Sequence, residues 1–107
     1  MGHSKCGAVL AAIQSEMQQQ PGFSPNIDAL IQLIRPSVHR CLSKVKTESP
    51  DEILDLSIRE NVHSTVQEIL EKSPLIGEFI GNGKFAIVEA HFSLETGQVE
   101  FGATSAT

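Results

Sequence analysis

The 107-residue sequence predicts an α/β fold, with about three to four amphipathic helices followed by a C-terminal β-hairpin. Two observations carry this prediction. From Cys6 to Leu70 apolar residues recur at intervals of three and four, the period of helices with one buried face. After Gly81-Asn82-Gly83 that period stops. A run of Phe, Ile and Val then leads to the turn signal Glu95-Thr96-Gly97, as expected of two paired strands.

The first helix is marked by Cys6, Val9, Leu10, Ile13 and Met17, which form a one-sided stripe ended by Gln18 to Gly22. Ser24-Pro25 reads as an N-cap followed by proline in the first turn. Ile27, Leu30, Ile31, Ile34, Val38, Leu42 and Val45 continue that second helix to about Lys44–Thr47. Pro36 falls inside the pattern and predicts a kink or break near Arg35. Ser49-Pro50-Asp51-Glu52 has the form of a capping box, and the third helix should run from it to about Lys72. Ser73-Pro74 caps a short further turn through Ile80. Phe85–Leu94 and Gln98–Phe101 are the hairpin strands, and Ala103–Thr107 reads as a frayed tail.

Taken alone, this is an incomplete design. A two-stranded hairpin is marginal without neighbours, and Phe85–Leu94 has the near-continuous apolar character of a strand inside a larger sheet. The neighbouring strands are expected either to be missing or to come from another chain.

Bulk properties narrow the function classes. The length allows at most one domain with a modest core. A net charge of -5 and a lack of Trp and Tyr argue against nucleic acid or an anionic membrane as partner. No run of about 18 apolar residues is present to span a membrane, and no apolar signal core follows a basic start. Cys6 and Cys41, the only cysteines, exclude a disulfide-dense secreted scaffold, so a reducing, cytoplasmic setting is expected.

The chemistry-bearing pattern lies at Gly2-His3-Ser4-Lys5-Cys6-Gly7-Ala8-Val9. His3 and Cys6 are zinc-ligand types at a spacing that lets both reach one ion, although such a spacing is not specific by itself. Cys6 falls at the start of a helix, where the dipole and free N–H groups favour a thiolate. Gly7 removes a side chain beside the metal. Two ligands do not complete a zinc site.

This segment closely resembles the second zinc motif of the β-class carbonic anhydrases, GH(S/T)xCGAV, which in that family ends a buried strand. Further likenesses are Asn61-Val62 within a long helix, Ser73-Pro74-Leu75-Ile76, and Gly83-Lys84-Phe85-Ala86-Ile87-Val88. Phe92-Ser93-Leu94-Glu95-Thr96-Gly97-Gln98-Val99 resembles the family's Tyr-Asp-Leu-x-Thr-Gly-x-Val hairpin, with Phe92-Ser93 replacing Tyr-Asp. The resemblance implies that residues 1–107 form a single partial domain, the C-terminal half of a truncated β-carbonic-anhydrase-type fold. It implies that His3 and Cys6 are two of three protein zinc ligands. The family reaction is the zinc-dependent reversible hydration of CO2 to bicarbonate.

The family's third ligand and its Asp–Arg dyad lie in an upstream Cys-x-Asp-x-Arg motif. No such motif occurs in these 107 residues, and Cys41 is followed by Leu42-Ser43-Lys44. No residue is therefore assigned a catalytic role, and the isolated chain is expected to be inactive. Met1 is either the start of a shortened protein or an internal residue of a longer one. Zinc is expected in an incomplete or inter-chain site, with self-association into a homodimer or larger assembly. Rival readings are one half of a split carbonic anhydrase and a non-enzymatic oligomerisation module.

The remaining polar residues have structural readings. His39 and Cys41 point to different helix faces, exposed and apolar respectively. His63 lies on a helix surface, and His91 packs in the strand beneath a helix. Asp51, Glu52 and Asp55 complement a helix dipole. Gly81-Asn82-Gly83 is a turn and not a phosphate loop.

Overall fold

In the computed structural model, which describes residues 1–18 and 24–105, the order is β1 (Gly2–His3), α1 (Gly7–Gln18), α2 (Pro25–Lys44), α3 (Pro50–Lys72), α4 (Pro74–Gly81), β2 (Ile87–Phe92) and β3 (Val99–Ser105). The predicted helix end at Gln18–Gly22 falls mostly on residues outside this description.

Serines start the last three helices. Ser24 Oγ accepts the Ile27 N–H at 3.3 Å, and Ser73 Oγ accepts that of Ile76 at 3.4 Å. The capping box at Ser49 is only half formed. Ser49 Oγ accepts from the Glu52 N–H at 3.5 Å, while the Ser49 N–H donates to Thr47 Oγ1 at 3.1 Å and not to the Glu52 side chain. Gly83, at φ 72°, ends α4 with its N–H on the Ile80 carbonyl, a backbone conformation that L side chains rarely adopt. The expected short turn at Ser73–Ile80 is thus an eight-residue helix.

Pro36 does not break α2, which runs unbroken from Pro25 to Lys44. Proline removes the hydrogen bond to the Gln32 carbonyl. Ile34, Ser37, Val38 and Cys41 are buried on both sides of it, and that packing carries the helix through.

The core is helical. Val9, Ala12 and Ile13 of α1 interlock with Ile31, Ile34 and Val38 of α2 and with Ile53 and Ile58 of α3. None of the helices in the described residues is long and apolar enough to cross a membrane.

The sheet is mixed and open, in the order β1-β2-β3. β1 runs parallel to β2, with Gly2 opposite His91 and His3 opposite Phe92. β2 and β3 are antiparallel, with Ile87 opposite Ser105 and Phe92 opposite Val99, and the register shifts between Val88 and Ala90. Ala103–Ser105, expected to fray, belong to β3 because Thr104 and Ser105 pair with Val88 and Ile87. Helix α3 packs against β1 and β2 on one face. Among the described residues, four helices and three strands therefore form an α/β fold whose sheet is open.

Candidate metal centre

His3 and Cys6 sit on the two sides of a tight turn between β1 and α1. His3 is exposed and Cys6 half-buried. Lys5, in the turn, takes φ 54°. The Cys6 carbonyl accepts the Leu10 N–H at 3.0 Å, which makes Cys6 the residue capping α1, beside that helix's free N–H groups. His3 Nδ1 lies 3.0 Å from the Ser4 carbonyl. A ring that donates Nδ1–H there leaves Nε2 as the free ligand atom, the arrangement that orients metal-binding histidines.

The turn is anchored to the end of the hairpin. The Ser4 N–H donates to the Phe92 carbonyl at 2.8 Å, and Ser4 Oγ accepts the Leu94 N–H at 2.8 Å. Lys5 Nζ lies 3.1 Å from Glu95 Oε1 at the surface. Gly2 has a steric reason to be glycine: a Cβ there would lie 2.8 Å from Val62 Cγ2 and 2.9 Å from Ile58 Cγ2. Gly7 has none, since a Cβ at that position meets no atom within 4 Å.

His3 and Cys6 line a cavity of about 250 Å³ between β1, α1 and α3. Most of its wall is aliphatic, from Val9, Ile58, Val62, Val66, Ile69, Ile87 and Val88, with Asn61 and Thr65 adding polar groups. Asn61 Oδ1 accepts a hydrogen bond from the buried Ser37 hydroxyl at 3.2 Å, which orients its amide. Among the described residues no group of three or more His, Cys, Asp or Glu side chains is placed to hold a metal. His3 and Cys6 thus have the chemistry of a zinc donor pair but stand without a third protein ligand.

The other histidines lie apart from this centre. His39 is exposed, with Nδ1 3.0 Å from Glu16 Oε1, and Arg35 donates to Glu16 Oε2 at 2.9 and 3.0 Å. Hydrogen bonds from His39 and then Arg35 hold the Glu16 carboxyl below its ordinary range. Cys41 is buried, as its helix face requires. His63 lies on the α3 surface but reaches Glu89 Oε2 of β2 at 2.9 Å.

His91 is buried under α3, 9 % exposed, with Nε2 3.6 Å from Asp55 Oδ1. Asp55 does more than complement a helix dipole. Its Oδ2 accepts from Arg59 Nε at 3.0 Å, and Arg59 also donates to Glu100 Oε2 of β3 at 3.0 Å. The Glu100 and Asp55 hydrogen bonds raise the Arg59 pKa above its ordinary value. The Asp55/Arg59 pair has i,i+4 spacing and is readable in the sequence. Its extension to His91 and Glu100 is not.

Comparison with protein families gives a single assignment that covers both the His3–Cys6 turn and the hairpin to which it is anchored. The family model described as carbonic anhydrase matches residues 1–99. A comparison with curated proteins finds no match. On that match over nearly the whole length, the chain belongs to the β-carbonic anhydrase family.

Proposed function

We propose that this chain is a β-carbonic-anhydrase-type protein that retains part of a zinc site at His3 and Cys6, self-associates, and does not hydrate CO2 as an isolated chain. The observation that supports this most is the turn itself. One ligand-type residue ends β1, the other caps α1, and Ser4 ties both to the hairpin. In this reading His3 Nε2 and the Cys6 thiolate hold the ion, and the aliphatic cavity wall limits water around it. Zinc, when bound, supplies a Lewis acid that polarises oxygen ligands. Catalytic zinc needs three protein ligands, and the 107 residues offer two plus no Cys-x-Asp-x-Arg motif. Residues 1–107 act on this reading as one partial domain in a reducing, cytoplasmic compartment, consistent with two free thiols.

Two copies that pool His3 and Cys6 would form a closed Cys2His2 site of structural type. Metal analysis of the purified chain should then give one zinc per two chains, lost in His3→Ala and in Cys6→Ala. One zinc per chain, or none, rejects pooling.

A second reading, assembly without metal, is supported by the sheet face opposite α3. The register places Phe101 beside Ala90 and Val99 beside Phe92 on this face, where Phe101 is 72 % and Val99 41 % exposed. On this reading His3→Ala and Cys6→Ala leave sedimentation unchanged. A shift to monomer in either variant rejects it in favour of the zinc-linked assembly.

A further inference from the structure

We propose that Ser4 is a positioning residue, which fixes the His3 ring against the end of the hairpin and so aims Nε2 at an ion shared with Cys6. The inference rests on the zinc reading of His3 and Cys6 and gives the distant hairpin a part in it.

The first observation is that each polar group of Ser4 is committed, and to different segments. Its carbonyl lies 3.0 Å from His3 Nδ1. Its N–H donates to the Phe92 carbonyl at 2.8 Å, and its Oγ accepts the Leu94 N–H at 2.8 Å. A carbonyl can only accept, so the first contact is a hydrogen bond when Nδ1 carries the proton. A neutral ring in that form keeps its lone pair on Nε2, the atom a metal would take. His3 is exposed, so burial does little to orient its ring. The two bonds to the hairpin hold the Ser4 backbone and side chain, and with them the direction in which its carbonyl faces.

The second observation is that the turn needs this hold. Lys5, between the two donors, takes φ 54°, in the left-handed region that side chains other than glycine's rarely adopt. Such a conformation persists where the surroundings over-determine it. The ion pair of Lys5 with Glu95 is exposed on both sides and contributes little. The bonds of Ser4 are what remain to fix the turn. Their anchor is built independently of it: Ser93 N–H donates to the Gln98 carbonyl at 2.9 Å, Gly97 N–H to the Ser93 carbonyl at 2.8 Å, and Gln98 N–H to Thr96 Oγ1 at 3.2 Å. The hairpin end is thus a closed platform on which Ser4 seats the donor pair.

The test is a Co2+ titration of the 107-residue chain, read by thiolate-to-cobalt absorption, beside Ser4→Ala, Ser4→Thr and Thr96→Ala. Ser4→Ala should weaken Co2+ binding about tenfold, and Ser4→Thr, which keeps the hydroxyl, should restore it. Thr96→Ala removes the acceptor of the Gln98 N–H, leaves Ser4 intact, and should not change the affinity. In the metal-free chains, nitrogen NMR in mildly alkaline buffer should show the His3 ring protonated at Nδ1 in the wild type and in Ser4→Thr, and shifted toward Nε2 in Ser4→Ala. Equal affinity in the wild type and Ser4→Ala, or a ring that Ser4→Ala leaves unshifted, overturns the proposal. Equal weakening by Ser4→Ala and Thr96→Ala also overturns it, because general loosening of the hairpin would then be the cause. A wild-type chain that binds no Co2+ rejects the zinc reading itself, and this proposal with it.

Discussion

The helical layer and the sheet of this chain are covered to very different degrees. Ala12 and Val38, between α1, α2 and α3, are fully buried, whereas Phe101 on the sheet is 72 % exposed. The contrast has a physical origin. A helix satisfies its backbone internally and needs only one apolar stripe covered. A sheet needs a neighbour at each edge and a layer on each apolar face. Here the three main helices cover one another, while the sheet has α3 on one face and a two-residue β1 at one edge. The buried core closes within α1, α2 and α3, although Leu33 of α2 is itself 74 % exposed, whereas among the described residues the sheet lies open beyond β1.

That contrast can be broken most strongly inside the helical layer. Ile31→Ala, at a site 3 % exposed, should cost about 2–5 kcal/mol of unfolding free energy in urea denaturation. The loss should appear at every chain concentration, because no partner covers this site.

Gly2→Val probes the joint between the two regions. The new side chain meets Val62 and Ile58 and should cost about 1–3 kcal/mol. Hydrogen exchange should report faster opening of β1 and of Phe92–Leu94, with the α1–α2 amides little changed.

Glu16→Gln sharpens the electrostatic side of the helical layer. Glu16 has a folded-state pKa below its unfolded value, so its contribution is fully present above the ordinary glutamate range and is lost as pH falls through the folded pKa. The variant should be less stable by about 0.5–1 kcal/mol at neutral pH. Thermal melts of the two proteins should converge in acid. A constant gap across pH would mean that the pairs with Arg35 and His39 contribute nothing.

The smallest stability change is expected for Phe101→Lys, within about 0.5 kcal/mol at this exposed site. Its effect should fall on association: sedimentation should move toward monomer if the sheet face joins copies of the chain. An unchanged distribution would reject this sheet face as the surface that joins copies.

The helices were readable because their signals are local. Ser24, Ser49 and Ser73 stand before prolines, and the apolar stripes follow the helical period. Pro36 does not break α2, because its local penalty, about 3 kcal/mol, is offset by burial of Ile34, Val38 and Cys41 around it. The end of β3 was missed for the opposite reason. Ala103, Thr104 and Ser105 carry little side-chain signal, and pairing with Val88 and Ile87 extends the strand.

At the candidate centre the same division holds. The His3–Cys6 spacing and the resemblance it carries were visible in the residues. The hydrogen bonds of Ser4 with Phe92 and Leu94 at the C-terminal end of β2, and the steric demand of Ile58 and Val62 on Gly2, join segments far apart in the sequence and leave no periodic trace.

Local signals in this chain therefore determined the helices and the hairpin turn, and the motifs around His3 and Cys6 carried the family resemblance. Tertiary structure alone decided that Gly2 lies against α3 and that Asp55, Arg59, His91 and Glu100 form one polar group. The reason is range: periodicity and capping act within a few residues, whereas strand pairing and burial depend on which distant segments the fold brings together.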